Sequence, residues 1–201
     1  MGLLKSFIAA GRGYVLGRTW LSCCAAVFLV GCGITGAPTL QELALLDNPP
    51  AEVRHKQDTL TPLALDWFKE IEARYLSKGR TLTEEEMEMA HKVGVSQPEL
   101  VRVIVLKSFP PPSNTTLLTQ AKEYGLGSSA ESARTMGNII MIKARFKDER
   151  WILAHQLAYI AQQEKMGRRA FVRRFIAERE LMGSSRSPME LNANKIALDF
   201  K

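Results

Sequence analysis

Cysteine is scarce, and its placement excludes more than its number does. The 201-residue chain has three, Cys23, Cys24 and Cys32, and none in the roughly 170 residues that follow. The main body of the chain therefore has no disulfide framework, no thiolate zinc site and no cysteine nucleophile. Its stability must come from a packed core, for which about 170 residues are ample. Histidine is as sparse, with His55, His91 and His155 alone. There is no Gly-rich phosphate loop, no Ser-His-Asp pattern, no internal repeat and no low-complexity tract. Acidic residues are missing before Cys32, where Lys5, Arg12 and Arg18 stand. With those three of the 27 basic residues set aside against all 21 acidic ones, the remainder carries a formal charge of +3. So mild an excess, without a concentrated basic surface, does not point to nucleic acid.

What the amino terminus does contain is a basic segment leading into the apolar run Trp20 to Val30, the order of a secretory signal. An uncleaved membrane helix over Trp20 to Gly36 is the alternative, although it is shorter than the roughly 20 apolar residues that span hydrocarbon comfortably. The run ends in Leu29-Val30-Gly31-Cys32, which resembles the lipobox of bacterial lipoproteins. That resemblance implies a signal peptide over 1–31 and a lipid attached through the sulfur of Cys32. The partner so implied is membrane lipid. Gly33 stands where an aspartate would resemble an inner-membrane retention signal, so the implied place is the outer membrane, facing the periplasm. Residues 32–59 carry Gly36, Pro38, Pro49 and Pro50 and read mostly as a linker, with a short helix between Leu40 and Leu46.

Beyond the linker, residues 60–201 read as one domain, α+β and mostly helical. Helical spacing of Leu63, Leu65, Trp67, Phe68, Ile71 and Tyr75 predicts a helix over Thr61 to Ser77. Thr83 with Glu86 makes a capping box that opens a second, to about Val93. Val101 to Leu106 reads as a strand, and Pro110, Pro111 and Pro112 end it. A third helix capped by Asn114 or Thr115 runs through Tyr124, and Gly137 to Phe146 reads as a second strand. A long helix starts at Lys147 or Asp148 and closes at Gly167, and another covers Arg168 to Met182. Arg168, Arg169, Arg173 and Arg174 share a face of the latter. They suit either anionic headgroups or ordinary pairing with Glu178 and Glu180.

Within the long helix stands His155-Gln156-Leu157-Ala158-Tyr159. A His-Glu-x-x-His helix stacks two imidazoles one turn apart on one metal ion and puts a general base beside them. Here Gln156 replaces the glutamate, and its amide does not titrate near neutral pH. Tyr159 replaces the second histidine with a phenol whose ordinary pKa is about 10. With Gln162, Glu164 and Gly167 after it and Pro188-Met189-Glu190-Leu191-Asn192-Ala193 farther on, the segment resembles a family of small bacterial zinc-metallopeptidase-like domains.

The resemblance covers roughly residues 60 to 195. It implies a small sheet packed on the motif helix, with Glu190 as third ligand returning to face His155. It also implies a strand edge beside that helix on which an extended peptide lies. The altered motif implies an inactive relative that serves as a binding or structural module, with no cofactor and an envelope protein or extended peptide segment as partner. The alternative is a divergent zinc hydrolase holding its metal through His155 and Glu190, with Tyr159 assisting and Glu164 as base.

Overall fold

A computed structural model describes residues 36–201. Cys32 and the implied signal peptide lie outside the described residues. Seven helices and a three-stranded sheet make up the described part, so the α+β, mostly helical class holds. No described helix is long and apolar enough to cross a membrane.

The expected linker is the first correction. Helix α1 (Leu40–Asp47) opens on a capping box between Thr39 and Glu42, and α2 (Ala51–Tyr75) begins ten residues before its expected start. Pro62 lies inside α2. Tertiary contacts outweigh the lost amide there. Gln57 Nε2 donates to the Arg173 carbonyl oxygen at 2.8 Å, Lys56 meets Glu180 at 2.6 Å, and Arg173 meets Asp58 at 2.6 Å. Propensity is a weak prior against a helix face buried in this way. Leu46 and Val53 pack with Ala177 and Met182, so residues 40–59 belong to the domain.

Arg186 fastens α1 by two bonds to Glu42, at 2.7 and 2.6 Å, and by a third to the Gly36 carbonyl oxygen. The guanidinium first, then the Thr39 amide, lowers the Glu42 carboxyl to about 2. A carboxylate depressed in the fold contributes stability above its unfolded pKa, and that contribution is lost as pH falls toward the folded one. Protection of the α1 amides, measured by mass spectrometry against the intrinsic exchange rate at each pH, should therefore fall as pH drops from about 4.5 to about 2. In Arg186→Ala the same protection should already be low at neutral pH.

Helix α3 (Glu84–Val93) starts at the foreseen Thr83–Glu86 box and ends at Gly94, in the left-handed region at φ 100°. Strand β1 (Arg102–Leu106) leads through the prolines to α4 (Thr115–Glu123), capped by Asn114. The second expected strand is corrected to a hairpin. Strands β2 (Ala133–Met136) and β3 (Ile139–Lys143) flank the two-residue turn Gly137-Asn138, and a 3-10 turn takes Ala144–Phe146.

β3 lies centrally, parallel to β1 and antiparallel to β2. Both of its faces are buried, which explains its unbroken apolar run. Ile139 and Met141 pack with α2 residues such as Phe68 and Ile71, while Ile140 and Ile142 pack with α3 and the motif helix.

At the turn, Gly137 has φ 60°, and an added Cβ would collide with the Glu72 carboxylate. That carboxylate accepts from the Asn138 amide at 3.1 Å and is held by Arg168 through two 2.6 Å bonds. Gly137→Ala should cost about 2 kcal/mol through left-handed strain and displacement of that pair. A lowered urea midpoint at unchanged slope would register it.

Candidate functional site

The motif helix α5 (Arg150–Met166) is the centre of the domain, buried at every residue from Ile152 to Ile160. A helix apolar on all sides belongs inside, and α5 packs against the sheet and against α3, α6 (Arg168–Met182) and α7 (Pro188–Ala197). Gly167 ends α5 and begins α6 at φ 81°. The one-turn spacing places His155 and Tyr159 on one face, their rings edge-to-face with centroids 5.2 Å apart.

Opposite them stands Glu190, at the third position of α7. Pro188 suits the first turn, and the Ser187 side chain caps the helix by accepting from the Glu190 amide. Ser187 is itself held by Glu178 of α6, which has no solvent exposure. Glu178 accepts from Ser187 Oγ at 2.6 Å and from the Met189 amide at 2.9 Å, and pairs with Arg174 at 2.6 Å. The buried carboxylate thus fixes the start of α7, and with it the height at which Glu190 meets α5.

Glu190 does return to face His155, Oε1 lying 3.4 Å from Nε2. Two atoms each about 2 Å from a tetrahedral zinc would stand about 3.3 Å apart, so this edge of a metal site has the proportions of the real thing. The other donors do not complete it. Tyr159 donates its hydroxyl to Glu190 Oε2 at 2.5 Å. Burial, followed by the Glu190 charge, pushes the phenol well above its ordinary pKa. A phenol so placed is a proton donor to the carboxylate, the reverse of a metal-binding phenolate.

The same Oε2 accepts from Arg179 Nη2 at 3.1 Å. Arg179 is mostly buried and lies over the Phe175 ring. Its guanidinium supplies the positive charge that Glu190 would otherwise seek in a metal. Burial pushes His155 below its ordinary value, against the opposing pull of Glu190, so the imidazole is neutral at pH 7. One cation and one anion remain, and the cluster is neutral as a whole.

Gln156 turns toward the sheet. The Thr135 hydroxyl of β2 donates to its carbonyl oxygen at 3.1 Å and its side-chain oxygen at 2.9 Å. Glu164, the substitute base, is on another side of α5 and accepts from the Ser96 and Gln97 amides at 2.6 and 3.3 Å. That corrects the assignment of Glu164 as base, because a carboxylate serving those amides cannot reach a water held by His155. His55 and His91 are exposed on α2 and α3. Among the described residues no group of three metal-binding His, Cys, Asp or Glu side chains converges. The set present does not fit zinc, since two donors converge and a guanidinium engages one of them.

The cluster forms one wall of a cavity of about 580 Å3, partly open to solvent. α2, α4, α6 and the chain before β2 build the rest, with Leu60, Trp67, Phe68, Leu117, Phe171 and Phe175 among the lining residues. β2 also lines it, as an edge strand. The Lys143 amide donates to the Ser132 carbonyl oxygen, so the antiparallel alternation turns the backbone groups of Ala133 and Thr135 away from β3. At the opposite edge, Arg80 bridges Val103 of β1.

The basic face of α6 is mostly consumed by ion pairs. Arg168 meets Glu72, Arg173 meets Asp58 and Arg174 meets Glu178. Two contributors carried no sequence signal: Arg179, and Glu178 as the anchor of α7. Each acts across helices whose relative placement no local pattern records. Compared with protein-family models, with curated proteins and with solved structures, the chain matches none.

Proposed function

We propose that this is a lipid-anchored envelope protein whose metallopeptidase-like domain binds and does not cleave. One observation carries the reading: the carboxylate of Glu190 is engaged by the guanidinium of Arg179 and the hydroxyl of Tyr159. Zinc would have to displace a partly buried ion pair and deprotonate a phenol whose neutral form is strongly favoured. No base stands ready for a water, since Gln156 is an amide and Glu164 is committed elsewhere. Attachment to membrane lipid through Cys32 rests on Leu29-Val30-Gly31-Cys32 alone. The partner is an extended segment of an envelope protein, laid along the outward-facing backbone of Ala133 and Thr135 as an added strand.

Two measurements test this on the full chain purified without chelator. Atomic absorption should find less than about one zinc in ten chains, and denatured casein should stay intact through prolonged incubation. One tightly held zinc per chain would remove the proposal's main support. Cleavage abolished by His155→Ala would turn the choice to the divergent hydrolase.

A further inference from the structure

The polar groups on the cavity wall are unevenly satisfied. Trp67 Nε1 and Arg179 Nε are buried donors with no partner among the described residues, and both side chains line the cavity. Gln156 adds an amide nitrogen likewise without a protein partner there, its oxygen being engaged by Thr135. The carboxylates on the same wall are occupied. Glu190 serves Tyr159 and Arg179, and Glu131 is held by Arg134 through two bonds of 2.7 and 2.8 Å. Such a wall offers hydrogens and asks for lone pairs.

Charge narrows the class further. Each cation at the cavity has its own carboxylate, Arg134 with Glu131 and Arg179 with Glu190. An anionic ligand would add a charge beside Glu190, and a cationic one would lie beside Arg134 and Arg179. Either is costly without a free counter-ion. The remaining lining is aromatic and aliphatic, and a cavity of about 580 Å3 lies within the roughly 300–1,000 Å3 of small-molecule sites.

We infer that the cavity binds a neutral, largely apolar molecule bearing a carbonyl acceptor, such as an acyl ester or amide, whose oxygen takes up hydrogen-bonding capacity left unused by Trp67, Gln156 or Arg179. The ester is held and not hydrolysed. In that respect alone the inference rests on the non-catalytic reading.

Calorimetric titration of the full chain with methyl decanoate, decanoate and decyltrimethylammonium tests it. The ester should saturate at one per chain, and both charged probes should bind at least about tenfold more weakly, about 1.4 kcal/mol. Ala64→Phe, which puts a ring into the cavity, should weaken the ester about tenfold. Trp67→Phe keeps an aromatic ring in place and removes one donor, so it should weaken the ester roughly fivefold even if the first variant fails to fold. Equal or tighter binding of a charged probe, non-saturable uptake of the ester, or ester affinity unchanged in Trp67→Phe would each overturn the inference. If the ester fails to bind while zinc and cleavage stay absent, only the ligand class falls. If zinc appears, the non-catalytic reading falls instead.

Discussion

Tyr159→His should turn a chain indifferent to zinc into one that binds it at least about 100-fold more tightly than the parent. The edge between His155 and Glu190, 3.4 Å long, already has the spacing of two ligands on one tetrahedral ion. An imidazole one turn beyond His155 supplies the third, and it removes the hydroxyl that caps Glu190 Oε2. Arg179 still competes for that oxygen, so adding Arg179→Ala should bring roughly another tenfold, the scale on which outer partners tune metal affinity. Arg179→Ala alone should bring little, because only two ligands converge. Competition with a chromophoric chelator reads all three variants. Zinc affinity in Tyr159→His equal to that of the parent would mean that α5 and α7 do not hold a metal-sized gap, and the scaffold argument would fail. Even when metal is bound, hydrolysis should require Gln156→Glu as well, since no base is otherwise in place.

Glu178→Ala should be the most damaging single substitution for stability, at about 3–5 kcal/mol, the usual cost of removing one partner from a buried ion pair. Three groups lose their acceptor together: the Arg174 guanidinium, the Ser187 hydroxyl and the Met189 amide. At roughly 2–4 °C per kcal/mol for a domain of this size, the thermal midpoint should fall by about 10 °C. Circular dichroism would measure it, provided unfolding is two-state. Glu178→Gln should recover part of the loss, since an amide oxygen still serves Ser187 and the α7 amide while the charge on Arg174 goes unmatched. A fall of less than about 1 kcal/mol in Glu178→Ala would show that α7 is seated by other contacts. It would also remove Glu178 from any role in positioning Glu190.

Where the sequence predicted elements well, the signals were local. The Thr83–Glu86 box, the cap at Asn114 and the glycine at 167 sit at observed helix boundaries, because each satisfies backbone groups within a few residues of itself. Where it predicted poorly, long-range packing prevailed. The proline-bounded stretch before Thr61 reads as a tether, yet α6 offers it carboxylate, carbonyl and apolar partners more than a hundred residues away. The β2–β3 hairpin was missed although a Gly-Asn pair between two short runs is a hairpin signal. Continuous apolar character across β3 obscured the turn.

By itself the sequence determined the mostly helical α+β class and the placement of His155, Gln156 and Tyr159 on one helix. An amide cannot act as a base wherever the backbone carries it, whereas Tyr159 resists deprotonation beyond the ordinary phenol only because the fold buries it. Only the tertiary structure decided what Glu190 faces, because α5, α6 and α7 must cross before His155, Arg179 and the carboxylate can meet. Their meeting sets the charge of the site, and a guanidinium is paired there with the carboxylate expected to hold a metal. Charge balance among side chains distant in the chain is a property of packing, and no spacing along the chain encodes it.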